Sequence, residues 1–256
     1  MKMRAAVLDR MEIPRPYTTT RPITVETVEL DSPGPGEVLV KITGAGLCHS
    51  DLSIVNGDRP RQMPMALGHE AAGIVEECGP GVTDLARGDS VALVFVPSCG
   101  HCIPCMEGRP ALCEPGAAAN GAGTLVGGHR RLHRSDGSPL NHQVGVSCFA
   151  EYAVVARGSL VKVRPDLDPA VAAVFGCAVL TGAGAAMNSA QVRLGGFAWG
   201  PPSRRPRHPV AVRWEGKASP QPFFPGCPHE AHRIRLRPRS PGQPWQPHGH
   251  GPGPAQ

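Results

Sequence analysis

Apolar and polar side chains alternate through the first two-thirds of the chain in short runs, each closed by glycine or proline. Residues 23–30 (ITVETVEL) alternate with period two, as a strand with one face in a core does. Asp31-Ser32-Pro33-Gly34-Pro35-Gly36 then breaks the run, and residues 37–42 (EVLVKI) resume it. Residues 71–78, 90–96, 150–155 and 160–163 continue the pattern. Many short strands punctuated by turns predict a mainly β fold, a barrel or a sandwich. Helical signals are few. Residues 49–56 suit a short helix, and Asp168-Pro169 reads as N-cap and first-turn proline of a helix running toward Cys177. Residues 170–187 are mostly small and apolar but include Gly176, Thr181, Gly182 and Gly184, so a packed core helix is expected there rather than a membrane span. Residues 114–144, glycine-rich and basic, read as a long surface loop with Arg130, Arg131 and Arg134 on its solvated face.

Charge divides the chain in two. The 256 residues carry a formal net charge of +5. Residues 1–196 hold 17 Lys and Arg against 19 Asp and Glu, whereas residues 197–256 hold nine against two. The second segment also holds 14 of the 29 prolines and all three tryptophans, Trp199, Trp214 and Trp245. Proline fixes φ and removes a backbone donor, so neither a sheet ladder nor a long helix can run through such a segment. Residues 197–256 are therefore expected to be a disordered Pro/Arg-rich tail. Arg204, Arg205, Arg207 and the arginines of residues 233–239 offer nucleic acid only non-specific, salt-sensitive attraction, and no recognition fold accompanies them. A change this abrupt is what a shifted reading frame, a retained intron or an alternative exon would produce. Asp9 comes too early for a secretory hydrophobic region, so a cytoplasmic protein without membrane contact is expected. Nine cysteines in such a chain point to metal before disulfides.

Four of them, Cys99, Cys102, Cys105 and Cys113, form a C-x2-C-x2-C-x7-C run in a loop that carries Pro97, Gly100 and Pro104. Four thiolates at this spacing can close around a tetrahedral zinc ion with no open position, which makes the site structural. The iron–sulfur alternative has three residues before the last cysteine and a proline after it; here seven residues intervene and Glu114 follows. Cys78, Cys148 and Cys227 belong to no motif and read as ordinary thiols. A second constellation is Cys48, then Gly68-His69-Glu70, then Cys177. Two thiolates and an imidazole are the donor types of a catalytic zinc site, which keeps a fourth position open, but spacing alone does not pair them.

A resemblance supplies the pairing. Residues 68–82 match the G-H-E-x2-G-x5-G-x2-V signature of the zinc-containing alcohol dehydrogenases of the medium-chain dehydrogenase superfamily. Gly46-Leu47-Cys48-His49-Ser50-Asp51 resembles the family's first zinc-ligand segment, the four-cysteine run has its structural-zinc spacing, and residues 176–182 resemble the segment of the third catalytic ligand. The resemblance covers about residues 4–196. It implies a GroES-like, partly open β-barrel with short helices and a structural-zinc lobe over residues 1–196, as an incomplete catalytic domain. It implies two zinc ions: one held by Cys48, His69 and Cys177, the other by Cys99, Cys102, Cys105 and Cys113. Glu70 would stand near the metal, Asp51 would orient His69, and Ser50 would relay the alcohol proton. His49 would meet the coenzyme pyrophosphate, Thr181 the nicotinamide, and Phe95 the substrate.

The implied reaction is oxidation of a small alcohol to an aldehyde or ketone, with zinc acidifying the alcohol and NAD accepting hydride. Ser53 stands where some members complete the relay with a histidine. Residues 114–144 resemble the corresponding segment of liver-type and glutathione-dependent members, and members are usually homo-oligomers. The family also continues, soon after the position of Thr181, into a coenzyme domain opened by G-x-G-x-x-G. No such turn follows Gly195-Gly196. Zinc binding without alcohol oxidation or NAD binding is thus expected of this chain alone. The alternative is a non-catalytic zinc-binding product, a truncated form or isoform.

Overall fold

A computed structural model describes residues 1–192; the tail of residues 197–256, with Cys227, lies outside the described residues. Ten strands follow in order: β1 (Lys2–Leu8), β2 (Ile23–Leu30), β3 (Glu37–Gly46), β4 (Met65–Ala66), β5 (Glu70–Cys78), β6 (Ser90–Leu93), β7 (Leu132–His133), β8 (Pro139–His142), β9 (Tyr152–Ala156) and β10 (Leu160–Lys162). Six short helices lie among them: α1 (Tyr17–Thr20), α2 (His49–Val55), α3 (Ile103–Met106), α4 (Glu114–Ala122), α5 (Pro169–Ala173) and α6 (Ala178–Gly184). The mainly β architecture takes the form of two sheets. One closes as a ring in the order β1-β2-β7-β8-β4, and the other stays open in the order β10-β6-β5-β3-β9.

Alternation explains the ring. In β1 the side chains of Met3, Ala5 and Val7 are buried while Lys2 and Arg4 face outward, a pattern that the sequence reading passed over. Met3, Val7, Val28, Leu30, Leu132 and Leu140 fill the ring's interior. The open sheet buries Val38, Val40, Val75, Val91, Leu93 and Val155. An Ala5–Ala150 bridge and a bond from Ala6 N–H to the Phe149 carbonyl (2.8 Å) stitch the two sheets together.

The expected surface loop at residues 114–144 is a structural segment instead. It forms α4, β7 and β8, it closes the ring, and it buries Leu125, Leu132 and Leu140. Strands of two and four residues have too few alternating positions to register as a pattern. Its arginines are likewise not a solvated face. The Arg131 Nε donates to Glu37 Oε2 at 2.8 Å, and Glu37 is only 2% exposed. Arg134 bridges Glu26 (2.8 Å) and Asp9, and Arg130 donates to Asn141 Oδ1 at 2.9 Å.

The expected core helix over residues 170–187 is broken. α5 starts as anticipated, with the Asp168 side chain accepting from Ala170 N–H (2.7 Å) and Pro169 in the first turn. It buries Ala172 and Ala173 against Ala72 of β5. The chain then tightens into a 3-10 turn, Val174–Gly176, and Cys177 leaves helical geometry at φ −138°, ψ −71°. α6 follows with no buried residue. The segments Pro169–Gly176 and Ala178–Ser189 are bent by 55°, and among the described residues no single helix is long and apolar enough to cross a membrane.

Replacing Arg131 by Ala should destabilise the protein by about 3 kcal/mol, because it leaves the Glu37 carboxylate buried without its cation. Urea unfolding of the variant beside the parent chain checks this; a loss below about 0.5 kcal/mol, the size of an exposed pair, would contradict it.

Candidate metal centres

Strand register brings the distant residues together. β3 pairs antiparallel with β5 and ends with Gly46 opposite Glu70, the first residue of β5. Two register shifts, at Leu39/Val40 and Ile42/Gly44, carry the end of β3 to that point. β5 also pairs antiparallel with β6, setting Ala71 opposite Leu93, the last residue of β6. Three strand ends therefore meet at one edge. Cys48 follows the first, His69 precedes the second, and Phe95 lies just past the third. Cys177 is brought to the same edge by Gly176. A Cβ at Gly176 would lie 1.9 Å from the Leu93 carbonyl oxygen, so only glycine lets this turn rest on β6. Gly68 is equally constrained, with φ +102° and the Phe149 nitrogen 2.4 Å from where its Cβ would stand.

The side-chain donor atoms of Cys48, His69, Glu70 and Cys177 all lie within 4.8 Å of one another. Around them the hydrogen bonds run in one direction. Asp51 sits in the first turn of α2, where its Oδ2 accepts from Cys48 N–H at 3.0 Å. Its Oδ1 accepts from His69 Nδ1 at 2.8 Å, so the ring's other nitrogen, Nε2, carries the lone pair. That Nε2 is buried with no hydrogen-bond partner among the described residues; Glu70 Oε1 is 3.8 Å away. An orphaned imidazole nitrogen beside two sulfurs and a carboxylate is a donor set that fits a divalent metal.

The direction in which each group's acidity is shifted agrees with that geometry. Burial alone would raise the Asp51 carboxyl, but the His69 ring, the Cys48 N–H and the Gln143 amide hold it below its usual range. Burial alone would lower His69, and the Asp51 carboxylate and Cys48 sulfur lift it above its usual value. Burial opposes ionisation of Cys48 too, yet the N–H and hydroxyl of Ser50, together with His69, favour its thiolate. Cys177 is pushed up to about 12, first by burial and then by the Glu70 carboxylate.

Cys99, Cys102, Cys105 and Cys113 form the second cluster, also within 4.8 Å. Backbone N–H groups point at the sulfurs: Cys99 N to Cys113 Sγ and Cys102 N to Cys99 Sγ, both 3.3 Å, and Gly116 N to Cys113 Sγ, 3.4 Å. The His101 N–H leads the groups that lower Cys99 to about 6, while burial and the three neighbouring sulfurs push Cys105 up to about 11. Four thiolates this close need a dication between them, and the cluster fits a structural zinc.

The remaining sequence-predicted residues fall at different places. Ser50 and Phe95 line a cleft that opens at His69, and the Phe95 ring meets the imidazole edge-on at 5.7 Å. His49 is exposed, with Nδ1 3.3 Å from Ser53 Oγ. Thr181 is exposed on α6 and is not among the residues lining the cleft.

Gln143 was missed because it fell in the supposed loop. It is 1% exposed, its Oε1 accepts from Gly68 N–H (2.6 Å), and its Nε2 donates to Asp51 Oδ1 (2.7 Å). One amide thus ties the segment before His69 to the carboxylate that orients His69. Ser147 Oγ supports it, accepting from Gln143 N–H (2.9 Å) and donating to the Ala66 carbonyl (2.8 Å). Val144 beside it has φ +44°, a left-handed conformation that a β-branched residue adopts only under constraint.

The family model described as "Alcohol dehydrogenase GroES-like domain" matches residues 34–165. The S-(hydroxymethyl)glutathione dehydrogenase of Synechocystis is 40% identical over 196 residues, which are 76% of this chain and 51% of that protein. Among solved structures, an alcohol dehydrogenase zinc-binding domain protein from Burkholderia ambifaria is 36% identical with a TM-score of 0.68, covering 75% of this chain and 50% of its own. The benzyl alcohol dehydrogenase of Acinetobacter calcoaceticus is 33% identical with a TM-score of 0.65, covering 75% and 49%. The chain spans about half the length of the curated relatives it matches.

Metal analysis of purified protein should find two zinc ions per chain, one for each cluster. Gly176→Ala should lose the ion at Cys177 and keep the four-cysteine ion; loss of neither would contradict the packing argument. In metal-free protein the Asp51–His69 pair gives a defined pH dependence. The Asp51 contribution is present above 3.8 and lost as pH falls through its lowered folded value. The His69 contribution is full below 6.5 and lost as pH rises through its raised folded value. Thermal melts of metal-free Asp51→Asn should therefore differ most from the parent between those limits, differ less at higher pH where only the His69 part is lost, and converge as pH falls below the Asp51 value.

Proposed function

Because the chain belongs to the alcohol dehydrogenase GroES-like domain family, we propose that its Cys48, His69 and Cys177 hold the zinc of an alcohol dehydrogenase active site. The supporting observation is the His69 Nε2, buried and unpartnered beside two sulfurs at the floor of a cleft. A zinc ion held there supplies a Lewis acid, which makes an alcohol easier to deprotonate and readier to release hydride.

The chain's own residues divide the remaining work. Asp51 keeps a proton on Nδ1, so the neutral imidazole presents Nε2 to a metal. Glu70, buried against the ligand atoms, offsets the charge of a dication there. Phe95 and Val96 give the cleft an apolar wall that excludes water from the substrate carbon. Ser50 takes the alcohol proton. Ser53 stands where some members carry a relay histidine, and its Oγ lies 3.3 Å from Nδ1 of exposed His49, so the proton leaves Ser50 by another route. His49 and Thr181, both exposed, suit the pyrophosphate and nicotinamide of NAD in turn.

The substrate class is an alcohol or aldehyde. No G-x-G-x-x-G turn is spelled between Thr181 and Gln256. Zinc and alcohol binding without NAD-linked turnover is the expected behaviour of this chain by itself.

Cobalt substitution tests the reading. Cobalt in a site with two thiolates, an imidazole and an exchangeable position should show a visible spectrum that shifts when pyrazole or benzyl alcohol is added. Cys177→Ser should abolish the shift and leave the spectrum of the four-cysteine site. A spectrum indifferent to both ligands would favour a purely structural zinc protein. Formation of NADH by the purified 256-residue chain would contradict the expected inactivity.

A further inference from the structure

The chain spells asparagine followed by glycine at Asn56-Gly57 and again at Asn120-Gly121. The pair is chemically weak, because glycine has no side chain to shield its nitrogen from the neighbouring carboxamide. The fold treats the two copies differently. Asn120 and Gly121 lie inside α4, and the Asn120 Nδ2 is tied to the Phe95 carbonyl at 3.0 Å. Asn56 and Gly57 instead form the half-buried turn that ends α2. Gly57 has φ +84°, and a Cβ there would stand 2.5 Å from Glu12 Cγ, so the fold demands glycine after Asn56.

The contacts of this turn favour attack by the Gly57 nitrogen on the Asn56 carboxamide. Asp58 N–H donates to Asn56 Oδ1 at 3.1 Å, which polarises the carbonyl and steadies the negative charge that its oxygen gains. Asn56 Nδ2 donates to Asp58 Oδ2 at 2.8 Å, which sets a carboxylate beside the departing nitrogen to carry its proton. The bond that must open first, from Gly57 N–H to the Ile54 carbonyl, is a long one at 3.2 Å. In α4, by contrast, the Gly121 nitrogen belongs to the helical ladder and is freed only when the helix opens.

We propose that Asn56 is a site of spontaneous deamidation, and that the change loosens the end of α2. The Gly57 nitrogen attacks Asn56 Cγ. The new C–N bond closes a cyclic imide, the Cγ–Nδ2 bond breaks, and the Gly57 amide proton leaves with the nitrogen as ammonia. Water then opens the ring at either carbonyl and leaves an aspartate or an isoaspartate at position 56. The net change is water taken up and ammonia lost, with no redox step. The product gives up the Nδ2 bond to Asp58 and sets a second carboxylate against it, with Glu12 also beside the turn. The new charge stands at the C-terminus of α2, the negative end of the helix dipole. Because α2 carries Asp51, the modification acts on the helix that orients His69.

Peptide mapping by mass spectrometry tests the site, on the full chain aged at neutral and alkaline pH in heavy-oxygen water. Asn56 should turn from amide to acid, take up labelled oxygen and yield both isomers, faster at alkaline pH. Asn120 should lag by about tenfold or more. In concentrated urea, where neither the turn nor α4 survives, the two rates should come within about twofold of each other. No conversion at Asn56 in the folded chain, or conversion at Asn120 as fast or faster, would overturn the proposal. So would a gap that persists undiminished in urea, since the fold would then not be its cause. For the consequence, Asn56→Asp supplies the aspartate product directly and should melt about 2 °C below the parent chain. An unchanged melt would overturn the loosening of α2.

Discussion

The position of β5 between β3 and β6 is the constraint on which everything else depends. Antiparallel pairing on both sides makes the start of β5 meet the ends of its two neighbours. Cys48 and Cys177, separated by more than 100 positions in sequence, bring their sulfurs within 4.8 Å only through that arrangement. A one-residue slip would turn the whole edge over and scatter the donors. The bulges in β3 and the glycines at 68 and 176 are the local adjustments that the register demands.

Around this edge the protein uses one carboxylate for two purposes. Asp51 caps α2 through the Cys48 N–H and fixes the imidazole of His69 through its other oxygen. The helix start and the ligand geometry cannot vary independently. Gln143 extends the coupling to the closed ring, since it follows β8 and reaches both Asp51 and the Gly68 N–H. The ring is thus more than a scaffold. The turn after its last strand delivers the amide that bonds Asp51, the carboxylate that orients His69.

Much of this was legible in the residues. Period-two alternation found β2 to the residue and placed the cores of β3, β5, β6, β9 and β10, because those strands are long enough or apolar enough to carry a pattern. The two cysteine and histidine constellations were legible from donor chemistry and motif resemblance. The segment of residues 114–144 was not. Its strands are only two and four residues long, and its arginines look solvated in one dimension although Arg131 and Arg134 find carboxylates across the fold. Gln143 was hidden for the same reason, as an amide has no signature until its partners are in space. The break at Gly176 was visible as a glycine, but its purpose depends on a Leu93 carbonyl 83 positions earlier.

The central claim is that Cys48, His69 and Cys177 bind a zinc ion that keeps one position for a ligand from solution. X-ray absorption at the zinc edge of the loaded chain tests it most directly. Averaged over a four-sulfur site and a site of two sulfurs, one imidazole nitrogen and one light atom, the spectrum should fit about three sulfurs and one nitrogen or oxygen per zinc. A fit to four sulfurs alone, with no imidazole scattering, would mean that only the four-cysteine lobe binds metal, and the account of the cleft would be wrong.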